Sequence, residues 1–350
     1  MRAAAKNSLC AVCLVAVSAT ACSDAEPTAR TVSPAPASPE LALEWGESGP
    51  DSGTPRYEAQ GLALGGKLYV FGGFVQGSGW PVTTGGEVFD LDTLTWTARS
   101  PAPEALTHAA RATDGQFIYF AGGFIGDGPG GSTDHTWRYD PVSDSWQAMA
   151  PLPEERGAGA LALVGTTLHY FGGAVRPPDE DIIASDHGEH WALDSADPTA
   201  EWTTLAPMPT PRNHLGGCAV GGIVYAVGGQ NLHDEQAGNL ANVDAYDPER
   251  DEWQSATSLP IPMGHLTSNT LEYRGRVLVI SGITQGSTKL KTVFSFDPTL
   301  GQWTELESLP EPRHSPVSAI VGDTLIVAGG SLSTSREIRA QTWLGALRLE

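Results

Sequence analysis

The chain has 350 residues and a formal net charge of −21, with 41 Asp and Glu against 20 Lys and Arg. That balance sets the whole molecule against nucleic-acid phosphates and anionic lipid, so no nucleic-acid partner is expected. Gly (41) and Pro (26) together make up about a fifth of the residues, below the roughly 25–30% of low-complexity chains but enough to imply many tight turns.

In chain order, the first element is an export signal over residues 1–21. Arg2 and Lys6 form a short basic region, and Leu9 to Ala19 is an apolar run too short to span a bilayer. The run ends in Ala19-Thr20-Ala21-Cys22, which fits a signal-peptidase site and also resembles a lipobox, in which Cys22 receives lipid. Either reading cuts at the same bond. The expected location is a membrane-anchored lipoprotein at the cell surface or in the periplasm, or else a secreted protein. Residues 22–40, rich in Pro, Ala and Ser, read as a semi-extended tether. Once Cys10 and Cys13 leave with the signal and Cys22 becomes terminal, Cys218 is the one internal thiol, which is expected to be a small buried hydrophobe.

From Leu41 to Glu350 the sequence repeats. Short β-rich runs end in glycine pairs: LYVFGG, FIYFAGG, LHYFGG, IVYAVGG and LIVAGG, with VLVISG as a degenerate sixth copy. Their last glycines, at 73, 123, 173, 229, 282 and 330, are 50, 50, 56, 53 and 48 residues apart, a period of stacked or radial repeats. An aromatic-Asp pair follows most of them (Phe89-Asp90, Tyr139-Asp140, Tyr246-Asp247, Phe296-Asp297; more loosely Leu193-Asp194), and then a Trp at 96, 146, 202, 253 and 303. After the Trp the chain tends towards Pro-x-Pro-Arg. Each unit thus predicts four short antiparallel strands, and four per unit is one propeller blade.

These landmarks resemble the kelch-repeat family. The resemblance implies an all-β, six-bladed kelch-type β-propeller over residues 41–350 as one domain and a monomer. Six glycine sites face five downstream Trp, and Leu43-Glu44-Trp45 stands before Thr54-Pro55-Arg56 as the other Trp strands stand before theirs. The last blade is therefore expected to be closed by the N-terminal strand, which hides a sheet edge.

The family pattern implies that loops joining fourth to first strands, and second to third strands, share the functional face around the central channel. Sixteen residues before the first Gly of a pair stand Arg56, Arg156, Arg212 and Arg313; fourteen before stand His108 and His214, with His265 joining if its turn is two residues longer. Asn213 and His314 sit beside them. These nine residues are the candidate ligand-binding mouth. The arginines also belong to the repeat itself, and the favoured reading of them is that they bridge adjacent blades through carbonyls and carboxylates. The slot two residues after the Arg carries His, Glu58, Ala158 or Ser315 in different units, which is the variation a ligand site needs.

The connecting loops hold weaker candidates. Residues 176–191 carry Asp179, Glu180, Asp181, Asp186, His187, Glu189 and His190; His187 and His190 are weak metal candidates at a spacing matching no standard zinc motif, and a solvated acidic loop is the plainer reading. The glycine-rich stretch after Gly126 lacks the strand-to-helix setting of a phosphate cradle. The loop from Asn231 is rich in hydrogen-bonding groups, and Trp80 is placed to stack on a sugar or to cover the rim. No metal and no cofactor are expected, and no catalytic residue is assigned. A copper-radical oxidase resembling galactose oxidase fails because Cys218 lies in a first-strand run with no matching Tyr-His set, and the acidic-acidic-His series of nitrile-specifier kelch proteins is missing. The function expected is recognition of a protein or glycan; the alternative is a sugar-active enzyme similar to sialic-acid epimerases or mutarotases.

Overall fold

The computed structural model describes residues 39–128, 130–178, 185–232, 238–332 and 337–350, so the export signal and almost all of the tether, Cys22 included, lie outside it. Asp179, Glu180 and Asp181 also lie outside the described residues, as does most of the loop after Asn231. Among the described residues there are six four-stranded antiparallel sheets, and no helix long and apolar enough to cross a membrane. Gln60–Leu64, Lys67–Phe71, Gly86–Asp90 and Thr95–Arg99 make the first sheet. The next four repeat its simple up-and-down order. The sixth consists of Val317–Val321, Thr324–Ala328, Thr342–Leu349 and, as its outer strand, Leu41–Trp45 in register with the last (Leu41 opposite Leu349, Trp45 opposite Gly345).

Each strand type has a local cause. The aromatic-Asp landmark closes the third strand: Phe89, Tyr139, Tyr246 and Phe296 are buried, and the following Asp accepts backbone N–H groups of the turn, as Asp297 does from Thr299 and Leu300. The fourth-strand Trp pins neighbouring sheets. Trp202 Nε1 donates to Ala150 O at 2.9 Å, Trp253 to Ala206 O at 2.9 Å and Trp303 to Thr257 O at 2.9 Å, each acceptor lying just past the outer strand of the preceding sheet. Trp45 makes the same bond to Glu307 O at 3.4 Å, across 262 residues of sequence.

The glycine pairs mark the same junctions. A Cβ on Gly122 would sit 2.3 Å from Arg156 O, and Gly123 N–H donates to that carbonyl at 2.7 Å, so the backbone of the next sheet occupies the space a side chain would need. The degenerate copy compensates: Ser281 stands in left-handed conformation (φ 60°) and its hydroxyl donates to Arg313 O.

The core is distributed. Six apolar clusters each fill the space between two consecutive sheets, one of them joining the last sheet to the first through Val317, Ile326, Ala59 and Val70. The first strands lie against one another in succession, and Val317–Val321 lies against Gln60–Leu64. No sheet buries both faces alone, so the units stand together. This all-β arrangement is consistent with a β-propeller, and its inner strands surround a cavity of about 380 Å³.

Candidate functional site

The site begins with backbone. The slot two residues after the repeat arginine has the same conformation in all six units: φ is 52° at Glu58, 53° at His108, 55° at Ala158, 49° at His214, 58° at His265 and 43° at Ser315. Left-handed φ is uncommon for residues other than glycine. At four of the junctions a backbone bond crosses to the neighbouring unit: Glu58 N–H donates to Ser315 O, Ala158 N–H to His108 O, His214 N–H to Ala158 O, and Leu266 N–H to His214 O, at 2.8–3.2 Å. Immediately before the slot the chain bridges to the residue after each glycine pair, as Asn213 does with Gln230 and His314 with Ser331. Loops of both kinds therefore meet on one face, as the sequence implied.

This belt carries side chains of four chemistries to one place. His108 Nε2 lies 2.7 Å from Glu58 Oε2, and His265 Nδ1 lies 2.9 Å from Glu58 Oε1. His314 Nε2 lies 3.1 Å from His265 Nδ1 and 3.4 Å from Glu58 Oε1. The His214 ring stands 4.2 Å from that of His265 and 4.8 Å from that of His108. Asn213 orients it: its Oδ1 meets His214 Nδ1, while its Nδ2 donates to Asp186 and to Leu232 O. Glu58, the four histidines and Asn213 are buried, and beside them is a cavity of about 20 Å³ lined by Glu58, His108, His214, His265 and Ser315, roomy enough for about one water. Burial alone would raise the Glu58 carboxyl, but the imidazoles of His108 and His265 outweigh it and hold it well below the usual carboxylate range.

The arginines keep different company. Arg56 donates to Gly72 O and Gly85 O and pairs with Glu87 at 2.7 Å. Arg212 donates to Gly228 O and Ala226 O and pairs with Asp244 at 2.8 Å. Arg156 pairs with Glu154 and Glu189 beside Trp191, and Arg313 with Glu311 and Gln341 over Trp343. Arg56 and Arg212 tie the loop before the first strand to the second and third strands of their own sheet, and Arg156 and Arg313 also bond within their own unit, so these arginines do not bridge adjacent blades as expected. Of the nine mouth candidates, the structure thus gathers His108, His214, His265 and His314, with Asn213 behind His214.

The weaker candidates separate. His187 bonds Ser185 and Glu189, whereas His190 is fully buried against His169, Phe171, Tyr246 and Trp253. The two imidazoles keep separate partners because His190 opens the third strand with its ring in the core, whereas His187 lies in the segment before that strand. Trp80 packs on Tyr57 and Phe74, covering the rim. Cys218 is buried, and burial pushes its thiol up to about 12. The residue that the candidate set omitted is Glu58, the carboxylate at the centre of the cluster; its signal was the slot it shares with His108 and His214.

A family model described as the KLHDC2/KLHL20/DRC7 Kelch-repeats domain matches residues 151–330, and the Kelch motif matches residues 55–103 and 108–153. The chain belongs to the kelch-repeat family. Among curated relatives, the Kelch-like protein terF of Aspergillus terreus is 27% identical over 286 residues, covering 79% of this chain and 50% of the relative. Beta-scruin of Limulus polyphemus is 29% identical over 150 residues (41% of this chain, 16% of the relative), and the Kelch repeat and BTB domain-containing protein 1 of cowpox virus is 27% identical over 145 residues (41% and 24%). This kelch chain therefore spans half or less of the length of these relatives. Kelch repeats generally serve protein interaction, and the buried His/Glu cluster is the feature of this chain that the repeat pattern does not require.

Proposed function

We propose that this kelch protein is an exported, surface-tethered recognition module, a six-bladed propeller closed by its N-terminal strand, that binds a protein or glycan ligand through the loop face around its axis. One observation carries the reading. Six positions share one backbone conformation and one place in the fold, yet they bear Glu, His, Ala, His, His and Ser. Packing demands would be the same in every unit and would select one residue type, and relief of left-handed strain would select glycine. A scaffold that holds geometry constant while varying chemistry is suited to recognition.

Closure is supported by the register of Leu41–Trp45 on the last strand and by the Trp45 bond to Glu307. Export and anchoring rest on the sequence of residues 1–22 and predict an acylated Cys22, read by mass spectrometry of the mature N-terminus and lost in Cys22→Ala. For recognition, the double variant His214→Ala/His265→Ala is expected to lose binding in a screen against glycans and cell-surface proteins. Unchanged binding by a folded double variant would move the site away from the axis.

A further inference from the structure

We propose that Glu58, His265 and His314 bind a divalent first-row transition-metal ion at the axial end of the channel, with His108 and His214 flanking it. The inference goes beyond the recognition reading and does not depend on it. Glu58 Oε1, His265 Nδ1 and His314 Nε2 form a triangle with edges of 2.9, 3.1 and 3.4 Å. For metal bonds of about 2.1 Å, neighbouring ligand atoms stand about 3.0 Å apart in an octahedron and about 3.4 Å apart in a tetrahedron. Two imidazoles and one carboxylate on one face, with positions left open, are a donor set for a borderline divalent ion.

The three atoms crowd one another. His265 Nδ1 carries at most one proton, yet it faces Glu58 Oε1, His314 Nε2 and, at 3.4 Å, Ser315 Oγ. His314 Nε2 faces both other corners of the triangle. A single cation satisfies all three lone pairs at once. The surroundings supply what orients such ligands: the second carboxylate oxygen of Glu58 is held by His108 Nε2 at 2.7 Å, and a cavity of about 20 Å³ borders Glu58 and His265. Two further facts agree. Two of the ligands sit on the left-handed belt that aims them inward, and the acidic body draws cations toward it.

The test uses the purified full chain, stripped with a chelator and titrated with Zn²⁺ or Co²⁺ by calorimetry, with bound metal counted by plasma mass spectrometry. One ion per chain is expected, together with a higher unfolding temperature. Glu58→Gln and His314→Gln are each expected to weaken binding at least tenfold, while His187→Ala leaves it unchanged, which separates this site from the partly exposed Glu154, His187 and Glu189 group. Zinc X-ray absorption of the wild type, which needs no variant to fold, should show imidazole and carboxylate donors. No binding by the folded wild type, an all-oxygen or sulfur shell, or full binding by folded Glu58→Gln and His314→Gln would each overturn the proposal.

Discussion

Acid should unfold this protein through a pair of histidines that belongs to no binding site. His169 Nδ1 and His190 Nε2 are 3.0 Å apart inside the third sheet, and His190 Nδ1 lies 3.2 Å from Ala206 O. Because Nδ1 of His190 must donate to that carbonyl, its Nε2 accepts from His169, so both rings are neutral and each tautomer is set. Burial lowers His169 to about 4; burial, and then the neighbouring imidazole, lower His190 to about 3. Folded values below the ordinary 6.5 mean that the unfolded chain takes up protons first, so stability is whole above pH 6.5 and is lost as pH falls toward 4 and 3. At pH 5 each ring costs about 2 kcal/mol relative to pH 8, about 4 kcal/mol for the pair. Urea unfolding of wild type and of His169→Leu/His190→Leu at both pH values measures this. The double variant removes both partners of the central bond, and Ala206 O keeps its bond from Trp253. Its stability should fall by about 4 kcal/mol less than that of wild type between pH 8 and 5. Equal losses in the two proteins would refute the reasoning.

Trp202→Phe strips the donor from Ala150 O and is expected to lower unfolding free energy by about 2 kcal/mol, read by urea denaturation; an unchanged midpoint would deny the indole bond any role between sheets. Leu43→Ala should cost about 2–4 kcal/mol, because Leu43 is buried in the cluster shared by the fifth and sixth sheets. A cost within error would mean that the N-terminal strand is not docked in solution. In the chain cut before Cys22 and carrying Cys22→Ala, Cys218, buried and with a thiol raised to about 12, should resist a thiol-reactive dye in the native protein and react fully in urea. Fast native labelling would contradict its burial.

How much was legible depended on how local the cause was. The glycine pairs, aromatic-Asp pairs and Trp positions could be read because each answers a demand that recurs in every unit: an approaching carbonyl, a hairpin turn, an acceptor on the sheet before. Even the sixth fourth strand could be placed by counting, since Trp45 supplies the indole that the last unit lacks, and its bond to Glu307 follows the pattern of the others. The same periodicity was a poor guide to the arginines. Their spacing was regular, but regular spacing cannot say whether a long side chain turns toward the axis or back along its own sheet, and buried carbonyls with Glu87 or Asp244 decided for the sheet.

What the sequence by itself determined is the repeat: period, strand types, junction residues and the variable slot, all set by interactions within a unit or with the unit next to it. Only the tertiary structure decided the site. Glu58 lies 207 residues from His265 and 256 from His314 along the chain, and a shared repeat slot does not say which of its side chains touch. They meet because the first sheet and the last are neighbours, and because the left-handed slot aims Glu58 and His265 inward. The physical reason is cooperative: the backbone belt is held by carbonyls of neighbouring units, so the side chains converge only when the sheets stand together.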